Sequence, residues 1–311
     1  SDPGELIGLT DKMLLYRTGA TAQTLRAGDY DGNTLWTHHQ PDNCVYSTVA
    51  SFGSRVVLGE ACRADTSTKD HARVEVLDAN TGARQWEWRA DAIGQIDANG
   101  LVVTQDMVIA DVRRDTTPDD SLFAARKYRH DLNAISISDG KELWRREKLD
   151  LGITYAPACA GTIQLAGSDR GTGRVVLGEC HQDVGKAGAT FDVAAFSLRD
   201  GAGQYRGSAP LGYAPSRGMD TSRWFAGLPD GRVVLTADAS SNLHKPKCRM
   251  YVVGPKDSSQ HDALKTPKAL AKSPWCQSAS IHVTPNSVAV TYPTGGGGDE
   301  TAPTGEYFAF G

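Results

Sequence analysis

Six cysteines and eight histidines are the residues of this 311-residue chain best suited to carry chemistry, and the cysteines come in a repeating arrangement. Cys44 and Cys62 bracket a segment containing Arg55-Val-Val-Leu-Gly-Glu60. Cys159 and Cys180 bracket a second one that ends Arg174-Val-Val-Leu-Gly-Glu179. A cysteine before one strand and another after the next become neighbours when the two strands pair antiparallel, which suits a disulfide within each copy. Cys248 and Cys276 then remain to pair with each other. Six buried thiols or a metal site are the competing readings. Equivalent placement in two copies argues against both, and no Cys-x-x-Cys occurs. Each such bond contributes roughly 3 kcal/mol in the chain-entropy model. Three of them imply an oxidising compartment, extracellular or in the cell envelope.

The other chemistry-bearing residues form weaker patterns. His38-His39 adjoins the first cysteine pair, and His71, His130, His181 and His244 fall on the same side by strand parity. Histidines from several strands can ligate a metal, but no spacing singles out a set, so neither a metal ligand nor a cofactor is assigned. Asp29-x-Asp31-Gly-Asn33 has the composition of a calcium loop, yet it occupies a hairpin-turn position and is read as a plain turn. Gly295-Gly-Gly-Gly298 lacks a following Lys-Ser/Thr and reads as a loop tip rather than a phosphate cradle. Arg113-Arg114-Asp115 and Ser121 to His130 mix basic and aromatic residues, a composition suited to a protein or glycan contact. Net charge is −4 with no concentrated basic run, which disfavours a nucleic-acid partner. No apolar stretch has the length of a membrane span.

These residues sit on a recurring phrase. Val74-Glu-Val-Leu-Asp-Ala-Asn-Thr-Gly-Ala-Arg-Gln-Trp86 is a strand, a tight Asp/Asn/Gly turn and a second strand bearing an aromatic. It returns around Asp139-Gly140 and Trp144, earlier around Asp29 to Trp36, and more weakly around Asp200-Gly201 and Tyr205. The four aromatics are spaced 50 to 61 residues apart, the mark of an array of supersecondary units. Each unit parses as four strands, A to D, and the sixth stops one strand short. Thirty-three glycines and fourteen prolines suit so many turns. Asp262 to Lys272 allows one short helix, interrupted by Pro267. All-β units of this length predict a β-propeller of four-stranded blades spanning 1–311 as a single domain, with six blades expected and seven the alternative. Strand parity places the long B–C connections and all six cysteines at one face and the tight turns at the other.

Leu77-Asp-Ala-Asn-Thr-Gly-Ala-Arg-Gln-Trp86 and Ile137-Ser-Asp-Gly-Lys-Glu-Leu-Trp144 resemble the repeat of the PQQ-like (quinoprotein alcohol dehydrogenase-like) β-propellers. The resemblance covers most of the chain, fades after Tyr205, and implies tryptophans docked between blades. It does not carry the enzymes' function across. Those have eight blades, an acidic metal site and adjacent cysteines, none of which this sequence matches. The expectation is therefore an extracytoplasmic binding or scaffold propeller, possessing no catalytic residues and fit to be the sensor ectodomain of a larger membrane protein. Its ligand, a protein, small molecule or glycan, would contact the disulfide-bearing face, where Arg114, Tyr128, Arg129 and His244 are the candidate residues. The alternative is a quinone- or metal-dependent enzyme with its site on the propeller axis.

Overall fold

The computed structural model describes residues 5–9, 13–18, 23–41, 43–63, 70–116, 128–149, 162–167, 173–181, 189–211, 225–238, 248–254, 262–264, 280–284, 287–292 and 304–308. Among them the chain is all-β, in antiparallel sheets whose strands follow one another in chain order. The first sheet holds β1 (Glu5–Leu9), β2 (Leu14–Thr18), β3 (Thr24–Gly28) and β4 (Thr34–His39). The second holds β5 (Cys44–Phe52), β6 (Arg55–Arg63), β7 (Asp70–Asp78) and β8 (Arg84–Ile93). The third runs β9 (Gln95–Val103), β10 (Met107–Asp115), β11 (Tyr128–Ser136), β12 (Glu142–Leu149). The fourth runs β13 (Thr162–Ala166), β14 (Arg174–His181), β15 (Ala189–Ser197), β16 (Gly203–Leu211). The fifth comprises β17 (Phe225–Gly227), β18 (Val233–Asp238), β19 (Cys248–Val253) and β20 (Asp262–Leu264). The last comprises β21 (Ser280–Thr284), β22 (Ser287–Tyr292) and β23 (Thr304–Phe308). This is the blade pattern of a β-propeller.

One element differs from the sequence reading. Asp262–Leu264 is a strand, pairing Leu264 with Met250 and Asp262 with Val252, where a short helix was allowed. The β19 edge offers a ready ladder, whereas a helix broken at Pro267 would lose both a hydrogen bond and its second turn.

The contacts group the chain into two compact units, Ser1–Asp115 with Arg129–Leu149 and Thr116–Tyr128 with Asp150–Gly311. In the first, β1 lies beside β5 and β5 beside β9; in the second, β13 lies beside β17 and β17 beside β21. Opening strands therefore adjoin within each unit, and the sheets stack face to face behind them. Middle strands are covered on both faces, which explains their unbroken apolar runs. Val56, Val57 and Leu58 are all fully buried, with Val56 and Leu58 facing the first sheet and Val57 the third. The glycine that follows is a packing requirement: a Cβ at Gly59 would lie 2.8 Å from Leu101 of the third sheet and 2.5 Å from Thr48. Gly178, at the same place in the fourth sheet, leaves room for Phe191 and Phe225.

The recurring turns are built alike. Gly82, Gly140 and Gly201 adopt positive φ, and their amides donate to the carbonyls of Asp78, Ser136 and Ser197. Asp78 Oδ1 accepts from the amides of Asn80 and Thr81, and Asp29 Oδ1 from those of Asp31 and Asn33. The Asp29 carboxylate is thus occupied by its own turn, as the plain-turn reading expected. Three of the aromatics then reach into the following sheet. Trp36 Nε1 donates to Ala79 O at 2.7 Å, Trp86 Nε1 to Ile137 O at 3.0 Å, and Tyr205 Oη to Gly231 O at 3.0 Å. Trp36 and Tyr205 are buried, while Trp86 and Trp144 are only half-buried.

Candidate functional site

The end of the second sheet that carries the B–C connection holds a buried charged cluster against a disulfide. Its residues come from alternate positions of paired strands, so period two puts them on one face. In β7 that face is Arg73, Glu75 and Leu77; in β6 it is Val56, Leu58 and Glu60. From the first sheet, β4 supplies Trp36 and His38, and Gln40 follows. Trp36 meets the apolar half of the face near the turn, His38 meets Glu75, and Gln40 lies toward Glu60.

The register fixes the cluster. Cys44 pairs with Cys62, Tyr46 with Glu60, and Glu60 with Arg73. Cys44 and Cys62 form the expected disulfide, with Cα atoms 4.0 Å apart. Glu60 is fully buried and Glu75, Arg73, Tyr46 and Gln40 nearly so. The Arg73 guanidinium joins the two carboxylates: Nε contacts Glu60 Oε2, and Nη2 donates to Glu75 Oε2 at 3.1 Å. His38 Nε2 lies 3.2 Å from the same Glu75 oxygen, and Arg73 Nη1 lies 3.7 Å from Glu87. Glu60 Oε1 and both side-chain heteroatoms of Gln40 have no hydrogen-bond partner of ordinary geometry, although Gln40 lies close enough to favour the ionised Glu60.

The two carboxyls respond to this setting in opposite directions. Burial pushes Glu60 up to about 7 against the pull of Arg73, with Glu75 adding repulsion. Burial also opposes ionisation of Glu75, but the hydrogen bond and charge of His38, then Arg73, hold it below the ordinary carboxylate range. Burial and the neighbouring carboxylates push the Tyr46 hydroxyl up, so it stays protonated. The cluster can store a proton beside a disulfide.

A second buried cluster occupies the matching end of the third sheet. His130 Nδ1 lies 2.8 Å from Asp111 Oδ2 and 3.0 Å from Oδ1, both residues being almost wholly buried. Arg113 Nη2 donates to Asp97 Oδ1 at 2.9 Å. Burial pushes the Asp97 carboxyl up, opposed by Arg113. Arg114 Nη2 contacts Asp131, whose other oxygen accepts from the Lys148 amide at 2.7 Å.

Of the candidate contact residues, Arg114 is therefore engaged in an ion pair with a side chain 30% exposed, Tyr128 is buried, and Arg129 is half-buried. His244 lies outside the described residues. Among the described histidines, His38 meets Glu75, His39 meets Thr24, and His130 meets Asp111. Among the described residues, the one group with ligand atoms close enough for a metal is Cys44, Glu60 and Cys62, and its sulfurs are bonded to each other. Cys180 and Cys248 are also in disulfides. Their expected partners, Cys159 and Cys276, lie outside the described residues. Gln40, Glu60, Arg73, Glu75 and Asp111 escaped the sequence reading. The available signal was a charge at alternate positions inside otherwise apolar strands, repeated as Val-Val-Leu-Gly-Glu at Glu60 and Glu179.

No protein-family model matches the chain, and no curated protein matches it. Among solved structures, it is similar to a protein of unknown function from Dyadobacter fermentans, at 10% identity over 98% of this chain and 93% of that one, with a TM-score of 0.45. It is likewise similar to the β-propeller domain of the Trilobed protease from Pyrococcus furiosus, at 7% identity over 85% and 68%, with a TM-score of 0.44. A protein of unknown function from Bacteroides caccae matches at 10% identity over 84% and 81%, with a TM-score of 0.42.

Proposed function

We propose that this chain is an extracytoplasmic binding or scaffold propeller of the PQQ-like repeat kind, and that it recognises a protein or glycan at its disulfide-bearing end. The observation that carries this reading is the asymmetry of the strand ends. Cys62 and Cys180 stand where B–C connections begin and Cys248 where one finishes, all in disulfides, and Cys44, at the start of β5, is bonded to Cys62 across the ladder. The buried ion networks of the second and third sheets lie at the same strand ends. The opposite end is closed by short turns such as Gly53-Ser54 and Asn80 to Gly82. A rigid, cross-linked rim under long connections is what presents loops for recognition at low entropic cost. Trp36 and Trp86 docking on the next turn is the packing that the repeat resemblance implies. Disulfides and the lack, among the described residues, of a helix long and apolar enough to cross a membrane are compatible with an extracellular or envelope location.

The test is site-specific photocrosslinking on the source cells, with the crosslinker at position 129 or 244 in one set and at 80 or 230 in the other. Crosslinks to one common partner from 129 and 244, weakened by Arg129→Ala with His244→Ala while circular dichroism is unchanged, support the reading. A footprint confined to 80 and 230 would overturn it.

A further inference from the structure

The disulfide of the second sheet faces a carboxyl group that its fold has sealed from water. Cys44 Sγ, Cys62 Sγ and a Glu60 oxygen all lie within 4.8 Å of one another, and Glu60 Oε2 is 4.0 Å from Cys62 Sγ. The two cysteines are unequally buried: Cys44 is 2% exposed, whereas Cys62 is half-buried. An incoming thiolate therefore meets Cys62 first and expels Cys44 into the interior, where no solvent proton waits. What waits is the Glu60 carboxyl, whose Oε2 is held by Arg73 and whose Oε1 has no hydrogen-bond partner of ordinary geometry.

We propose that Cys44–Cys62 is a thiol-exchanging disulfide and that Glu60 exchanges protons with its sulfurs. A dithiol supplies the two electrons. Its thiolate bonds to Cys62 Sγ, the Cys62–Cys44 bond breaks, and the electron pair leaves on Cys44, which takes the proton of Glu60. The second thiol of the reductant then closes on the first, forming its own disulfide and releasing Cys62 as a thiolate that takes a proton from solvent. Glu60 regains its proton from solvent more slowly, when the strand end opens after exchange, so the products are the Cys44/Cys62 dithiol and one oxidised dithiol.

The neighbours of Glu60 fit this role. Arg73 and Glu75 face it from β7, Tyr46 from β5, and Gln40 and His38 from the first sheet, with Glu87 of β8 beyond Arg73. Arg73 stabilises the carboxylate left after the proton departs. Glu75 discourages a second charge and keeps the proton on Glu60 beforehand. With burial holding the carboxyl up to about 7, both forms are populated near neutrality.

The test compares reduction of the disulfides within one protein sample. Dithiothreitol is added between about pH 5 and 9, the reaction is stopped by alkylation, and labelling of Cys44 and Cys62 is read by peptide mass spectrometry against that of Cys180 and Cys248. Rates are expressed per dithiothreitol thiolate, to remove the reagent's own titration. The expected rate for Cys44–Cys62 exceeds the two references by about tenfold or more at acidic pH and falls toward them as pH rises through about 7. Glu60→Gln loses both the excess and the fall. A flat wild-type profile overturns the proposal, as does a Glu60→Gln rate within about twofold of wild type at every pH. If Glu60→Gln does not fold, the wild-type profile alone decides.

Discussion

Glu60 and Glu75 share one guanidinium yet titrate apart, and that makes them separable by experiment. The folded pKa of Glu60 is raised from its ordinary 4.5 to about 7, so the native state binds a proton that the unfolded chain has released. Stability from this group is fully present below the ordinary value and is lost as pH rises toward about 7. Glu75 is lowered, so its contribution is present above the ordinary value and is lost as pH falls through its folded value. Urea denaturation of wild type and Glu60→Gln should therefore diverge between about pH 4.5 and 7, with the wild type losing on the order of 1–3 kcal/mol relative to the variant. A constant difference across that window would mean that Glu60 stays ionised throughout. Arg73→Met is the harsher change. It strands two buried carboxylates and should cost about 3–5 kcal/mol near neutral pH, with part of the loss recovered on acidification. Equal loss at every pH would show that packing of the arginine stem, rather than its charge, holds the cluster together.

At the scale of the element, the strand–turn–strand phrase sets both local geometry and the contact with the sheet before it. A Cβ at Gly82 would lie 2.7 Å from the Trp36 ring, and the residue sits at φ +69°. Gly82→Ala should cost about 1–3 kcal/mol, from left-handed backbone strain plus displacement of the indole. Trp36→Ala should cost about 3–5 kcal/mol, since the ring is 7% exposed. Trp36→Phe keeps most of the area and loses the bond to Ala79, a cost of about 1 kcal/mol. Thermal or urea unfolding reads all three, and an alanine cost below about 1 kcal/mol at Trp36 would mark the phrase as a surface feature. The strands themselves were legible because alternation, glycine turns and apolar middle strands each follow from backbone geometry. Three things were not. Strand ends such as Ala61 to Arg63 and Lys148-Leu149 extend past the apolar pattern because ladder hydrogen bonds continue without it. Asp262–Leu264 becomes a strand only because β19 is there to pair with it. The charged cluster was hidden because Glu60 and Arg73 look like surface residues until the register sets them opposite each other beneath the first sheet. Tyr128 shows the converse: an aromatic near a loop reads as a contact residue but is buried.

At the scale of the whole chain, stability within each compact unit is built from contacts between neighbouring sheets, as expected of a repeat protein. Replacing Cys44 and Cys62 together by serine should lower stability by about 3 kcal/mol while leaving the far-ultraviolet circular dichroism unchanged, because the β5–β6 ladder has eight registered pairs of which the cysteines are one. Loss of the β-sheet signal instead would mean that the bond is needed to form the sheet. The docked aromatics carry a different implication, for where this chain can be cut. Trp36 and Trp86 find their hydrogen-bond acceptors one sheet further on, as does Tyr205. A fragment ending after the first sheet would keep its four strands and still leave Trp36 with a bare indole N–H and an uncovered face. The indivisible piece is therefore the seam, and the divisions that look natural on paper, at the start of the second, third and fifth sheets, are the ones that leave both fragments incomplete.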